Sequence, residues 1–413
     1  MKRIWALVFA SCAAVQCVIG ADGFRTDINP ALLYYQGFSL RPELSQQDHD
    51  YLFTNEWRGR VLDERFRKLI SSFDNSFKLF NRGRFAEAAC DWGLDLSDGP
   101  EALLPGLAKA KNAAQTARLR VMWHLQNGRP DAARDELLAA FALGRNVSHD
   151  GVLISALVQF AIENIVASVV AENAYQLPPE TLRQLADGFE AAPRQGLVAD
   201  CVAVENLSFC QYFIRKISAL RAEGEPEAMK QIHALLVRSF VGEEGSQTNG
   251  AADADNVIRA GGGTSEGVLR LFQELPPIYE QVEQILRLPH GRYEKPMADF
   301  LAMVKAHPNP LLNEFFRLYD NCRRKEFGAQ ITLAMARAGI EYKLHGAEGL
   351  QSVLDPCTSV PFDFERFIFE GVDRGFKLKS KYRGRDFDEV LIFVETNGAL
   401  FRTTAMHAGE KVK

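Results

Sequence analysis

Positive charge is in short supply in this chain. Its 48 Lys and Arg are outnumbered by 53 Asp and Glu, giving a formal net charge of −5. Nucleic-acid binding needs clustered Lys and Arg to displace counterions, so no nucleic-acid partner is expected. Metal motifs are missing too. The eight histidines are scattered, with no H-E-x-x-H and no C-x-x-C; no metal site and no cofactor is expected. Cysteine is sparse, with seven in all, and Cys12 and Cys17 fall in the first twenty residues. The other five, Cys90, Cys201, Cys210, Cys322 and Cys357, cannot all pair within one molecule, and a chain this long needs no disulfide staples. Cys201 and Cys210 share a predicted helix and stand roughly 13 Å apart, beyond disulfide reach. Cys322 with Cys357 is the pair best suited to a bridge, and the rest read as small buried hydrophobes.

What is present begins with MKRIWALVFASCAAVQCVIG. Lys2 and Arg3 precede an apolar run, and Val18-Ile19-Gly20 offers a small-residue cleavage site. Residues 1–20 read as a secretory signal peptide with the mature chain starting at Ala21, which predicts a periplasmic or extracellular protein. Phe9-Ala10-Ser11-Cys12 approaches a lipobox, but the apolar run before it is too short, and Gln16 spoils the match at Cys17. Neither lipidation nor a retained anchor is expected.

Downstream the chain reads as mainly α: a helical-hairpin array with a small C-terminal α+β element. The predicted divisions are a helical-hairpin domain over 21–241, a flexible linker over 242–264, a second helical segment over 265–345 and an α+β tail over 346–413. Asn29-Pro30 caps and opens the first helix. Phe66, Leu69, Ile70, Phe73, Phe77 and Phe80 recur every three or four residues and predict one helix over Asp63 to Phe80. Asp98-Gly99-Pro100-Glu101 reads as a capping box starting the next helix. NRGRFAEAA (Asn81 to Ala89) and QNGRPDAAR (Gln126 to Arg134) align on Gly83 and Gly128. Each predicts a helical hairpin, with glycine in the turn and a small Ala at the close approach.

These copies resemble the second half of a tetratricopeptide hairpin, with Trp92 and Leu137 at its large apolar position and Pro100 at its closing proline. Val152 to Ala171 is long enough to span a bilayer. Ser155, Gln159 and Glu163 draw a polar stripe along it, beside Asn164 and Ser168. A mid-span carboxylate is costly in lipid, so a helix buried in a bundle is expected and no transmembrane helix in the mature chain. Gly242 to Gly263 is glycine-rich without apolar periodicity, hence the linker. Phe367 to Phe369, Phe376 to Ser380 and Val390 to Val394 read as strands. The last dozen residues read as frayed.

Tests for chemistry leave little. Gly263-Thr264-Ser265-Glu266-Gly267 matches a nucleophile elbow but lacks the preceding strand, so Ser265 reads as a helix cap. Asp91, Asp95 and Asp98 read as one solvated helical face, short of the oxygen ligands a hard cation needs. Lys377, Lys379, Lys381, Arg383 and Arg385 read as a charged strand edge. Glu163 and Glu205 sit in apolar helical stretches. A di-iron arrangement would need histidines where Val166 and Ser208 stand. The expected partner of each glutamate is an arginine of a neighbouring helix, Arg118, Arg120 or Arg145.

NPALLYYQGF, ACDWGLDLSDGP, LISALVQFAIENI and EYKLHG together resemble a group of uncharacterised secreted helical proteins of planctomycete-like bacteria. The resemblance transfers no catalytic residue. Tyr342 to Gly346, Gly349-Leu350-Gln351 and PFDFERFIFEG are similar in order to the globular end of major type II pseudopilins. The expectation is an exported cell-envelope binding or scaffold protein with a protein or peptide partner and no identified catalysis. The alternatives are an envelope hydrolase using Glu163 or Glu205, and an accessory of a type II-like secretion system. Stacked hairpins offer concave surfaces, and Trp92, Arg118, Arg120, Glu163 and Glu205 are the candidate partner-binding residues.

Overall fold

The computed structural model describes residues 25–240, 250–383, 388–397, 401–404 and 408–411. The expected leader at residues 1–20, 242–249 of the expected linker, and Arg385 lie outside the described residues. Four helices come first, α1 (Pro30–Ser39), α2 (Gln46–Phe53), α3 (Glu64–Ser71) and α4 (Asp74–Arg84). A long central group follows, α5 (Leu107–Gln126), α6 (Pro130–Val147), α7 (Leu153–Glu172) and α8 (Pro179–Glu190). Next, α9 (Val198–Glu205) passes through a π turn into α10 (Gln211–Leu220), with α11 (Glu225–Phe240) and α12 (Gly250–Ala260) beyond it. The last are α13 (Ser265–Gln273), α14 (Pro276–Leu286), α15 (His290–Ala306), α16 (Pro310–Phe316) and α17 (Leu318–Ser352), the last kinked at Gly346. Strands β1 (Asp363–Phe369), β2 (Val372–Arg383) and β3 (Asp388–Val394) form an antiparallel sheet with β2 central. The fold is thus mainly α with a small C-terminal sheet.

Local chemistry sets several of these elements. Asn29 caps α1, its side chain accepting from the Ala31 N–H, with Pro30 at the first position. The hairpin of α5 and α6 turns at Gly128, φ +66°, with Ala133 buried at the close contact. Proline begins α6.

The aligned upstream copy behaves differently. Gly83 stays inside α4, where a Cβ would fall 2.6 Å from Cε1 of the Tyr34 ring. The glycine serves a close approach there rather than a turn. No helix follows it: residues 85–98 run as an irregular strap. Asp91 accepts from the Gly93 N–H and Asp95 from the Ser97 N–H, turns that compete with helix. The three aspartates therefore share no helical face. Asp98-Gly99-Pro100-Glu101 makes only a 3-10 turn without a side-chain cap, and the helix waits until Leu107. The expected helix over Asp63 to Phe80 is broken at Ser72 and Phe73 into α3 and α4, yet Phe66, Ile70, Phe73, Phe77 and Phe80 still enter one core.

α7 joins the two main cores. One contains α1, α4, α5, α6 and α8; the other runs from Leu153 through α9 to α17 and onto the sheet as far as Phe393. Among the described residues α7 is the one helix long and apolar enough to cross a membrane, and Ser155, Gln159 and Glu163 on it are buried. Gly339 on α17 meets Phe393 of β3, where a Cβ would fall 2.0 Å from Cζ. That contact seats the sheet on the bundle.

Further expectations are corrected. Residues 250–260, expected as linker, form α12 with Ala254 and Val257 buried; two apolar positions are too few to read as a period. All five cysteines from Cys90 onward are free and buried, so Cys322 and Cys357 form no bridge. Thr264, not Ser265, caps α13 by accepting from the Gly267 N–H; the Ser265 hydroxyl donates to Glu225. The basic stretch lies on the central strand rather than an edge, with Lys377, Lys379 and Lys381 paired to Glu365, Asp388 and Asp363. The C-terminal stretch is not frayed throughout. Thr403 is buried, and Thr404 bridges Leu391.

Candidate functional site

Four of the five sequence candidates serve the fold. Trp92 is 8 % exposed, stacks on Tyr34 and Phe38, and donates its indole N–H to the Asn146 carbonyl at 2.7 Å. Arg120 is buried and donates to Glu136 (2.7 Å), Asp74 (2.7 Å) and the Ile70 carbonyl (2.9 Å), tying α3, α4 and α6 to α5. Glu163 is 1 % exposed. It forms an ion pair with Arg145 and accepts from the Gln159 and Gln195 amides at 3.0 Å. Burial pushes its pKa up to about 7, against the pull of Arg145 and both amides. Glu205 has no arginine. It accepts from the Leu153 N–H at the start of α7, next to Asp150, which accepts from the Val152 N–H and the Ser155 hydroxyl. A helix N-terminus is partly positive, so two carboxylates can share it; burial raises the pKa of both.

Of the five, Arg118 reaches the large cleft between the helices and the sheet. It lines a cleft of about 940 Å³ bounded by α5, α7, α17, the β2–β3 end of the sheet and the segment 402–404. Helical spacing builds its walls. From α7 come Leu157, Phe160, Ala161, Asn164, Ile165, Ser168 and Glu172, steps of three and four along one face. From α17 come Asn321, Arg324, Lys325, Gly328 and Thr332 by the same rule. Most charges here are matched. Glu172 receives Arg118 at 3.2 Å and Arg58 at 3.6 Å, and Arg58 also holds Glu56 at 3.0 Å. Arg324 is held by both oxygens of Glu294 and by Asp320.

Three charges are not matched. Glu389, on β3, is 8 % exposed and has no hydrogen bond or ion pair among the described residues. Burial alone pushes its pKa up to about 7. Lys325 and Arg402 are exposed, and no side chain among the described residues pairs with them. The Asn164 Oδ1 is also buried without a hydrogen-bond donor. Among the described residues no group of His, Cys, Asp and Glu is placed to hold a metal.

Sequence reasoning missed Glu389, although a signal was there. Strand alternation puts Glu389 on the same face as Leu391 and Phe393, the face turned to the core. An acid in that register is out of place. Asn164 was visible beside the stripe of α7, but its isolation was not. No protein family, curated protein or solved structure matches the chain.

Proposed function

We propose that this chain is an exported, non-catalytic binding protein of the cell envelope, and that it holds its ligand in the cleft between α7, α17 and the sheet. The observation that carries this reading is Glu389. An unpaired carboxylate buried in a folded protein works against stability, and such sacrifices concentrate at functional sites. The site also has the size range of ligand pockets and mixes apolar walls with a few convergent polar groups. The leader at residues 1–20 supports export. Glu163 and Glu205, the two acids a hydrolase reading would use, do not line this cleft.

The test is a thermal-shift panel of amino acids, peptides, sugars, nucleotides and organic acids on the mature chain. A ligand at a hundred times its dissociation constant adds about 2.7 kcal/mol to stability, enough for a clear rise in melting temperature. Ala161→Trp, which fills the cleft, is expected to abolish the shift without lowering the unliganded melting temperature. If no class shifts the wild type, or if the cleft-filling variant responds as the wild type does, the reading falls.

A further inference from the structure

Uncompensated charges of both signs share this cleft and are held apart in it. Glu389 lies over Gly328 of α17, where a Cβ would fall 2.8 Å from Oε1. The absent side chain leaves space for the carboxylate. Lys325 stands three residues earlier on the same face. Side chains of a helix lean toward its N-terminus, so the lysine stem leads away from Gly328 and from Glu389. Arg402 supplies the second free cation, next to Thr403, whose hydroxyl donates to Glu172. Arg58, Arg118 and Arg324 are already satisfied by acids. Among the described residues this leaves one buried acid and two exposed bases, Lys325 on one side of it and Arg402, level with Phe393, on the other.

A simple anion would satisfy the bases and face the acid unshielded. A simple cation would do the reverse. A ligand carrying both charges at a distance answers the acid and the base on α17 together. We infer that the cleft takes a zwitterionic ligand, a short peptide with free termini, its ammonium on Glu389 and its carboxylate on Lys325. This rests on the cleft being a binding site.

Three features favour a peptide over a single amino acid. The volume of about 940 Å³ is near the top of the range for small-molecule pockets, about 300–1,000 Å³. Leu157, Phe160 and Ile165 give apolar side chains a wall to lie against. The Asn164 Oδ1, buried without a donor, is an acceptor ready for a backbone N–H. The dimensions agree. Gly328 and Lys325 differ by about 4.5 Å of helix rise, to which the lysine stem adds its own length, and an extended tripeptide spans up to about 10 Å.

The experiment is calorimetric titration of the mature chain at pH 7.5 with tripeptides built from Ala, Leu, Phe and Ser. Each is supplied free, N-acetylated and C-amidated. At least one free tripeptide is expected to bind, and either cap to weaken it tenfold or more. Glu389→Gln is expected to lose at least as much affinity for the free peptide and to become indifferent to acetylation. Lys325→Ala, at an exposed site, is expected to become indifferent to amidation. Capped and free peptides binding alike, or Glu389→Gln binding like the wild type, would overturn the inference. So would the absence of binding by any tripeptide. A cleft ligand of another class in the thermal-shift panel, with no tripeptide bound, sinks this inference and leaves the binding reading standing. No ligand of any class sinks both.

Discussion

Replacing Glu389 with glutamine is expected to make the protein more stable, and more so as pH rises. The carboxyl is buried without a partner, and its pKa stands at about 7 against an ordinary 4.5. Below pH 4.5 it is protonated in both folded and unfolded chains and has no effect. Between 4.5 and 7 the unfolded chain releases the proton while the folded chain keeps it, so folding loses stability as pH rises. Above 7 the folded carboxylate is charged and the full penalty is present. A rise from 4.5 to about 7, at about 1.36 kcal/mol per pH unit, makes that penalty about 3 kcal/mol. Glutamine has nearly the same shape and no proton to lose. Urea unfolding of both proteins at pH 4.5, 6 and 8, followed by circular dichroism, reads the difference. It is expected to be near zero at pH 4.5 and about 3 kcal/mol in favour of Glu389→Gln at pH 8. Taking the difference cancels Glu163, Asp150, Glu205 and Glu326, whose pKa values burial also raises. A difference that does not change with pH would refute the reasoning. It would mean that one of the cleft's cations, Arg118, Arg324, Lys325 or Arg402, swings onto Glu389 in solution.

Three further outcomes follow from the packing. Arg145→Ala leaves the buried Glu163 carboxylate without its counter-charge and is expected to lose about 3 kcal/mol by urea unfolding at pH 8, with ligand response in the cleft retained; loss of binding with the fold intact would make the Arg145–Glu163 pair functional. Gly339→Ala drives a methyl into the Phe393 ring and is expected to cost about 1–3 kcal/mol, a loss that unfolding midpoints would register and that an unchanged midpoint would contradict. The five cysteines beyond residue 20 are free and buried. A chain beginning at Ala21 should therefore take five alkyl groups in denaturant without reductant, by mass spectrometry, and none in a brief native exposure; three would mean that one pair is joined.

The readings that held depend on neighbours in sequence. The Asn29-Pro30 start, the hairpin at Gly128, the stripe of α7 and the three strands each involve residues within a turn or a pleat of one another. The readings that failed depended on something farther off. DWGLDLSDGP follows a helix and aligns with a hairpin copy. Yet Trp92 is drawn into the ring cluster of Tyr34 and Phe38, and the Asn29 side chain holds Asp91 through its amide and backbone. Those contacts, with the aspartate turns, outweigh a weak helical preference. α12 becomes a helix because it packs against α11, α13 and α16 with Ala254 and Val257 buried, which the glycine count around it could not reveal.

The sequence by itself determined the helical class, the α7 core helix with its polar stripe, the sheet at the C-terminal end and the register that turns Glu389 inward. These follow from periods of 3.6 and 2, which any segment carries within itself. Only the tertiary structure decided which charges are answered. Arg120, a candidate for a surface, is enclosed by Ile70, Asp74 and Glu136. Glu389, one residue before the strand predicted over Val390 to Val394, meets no cation among the described residues. Arg58 reaches the Phe401 carbonyl, 343 residues away in sequence. Whether an ionised side chain has a partner depends on what folding brings within a few ångströms of it, because electrostatic satisfaction is set by distance in space and carries no period along the chain.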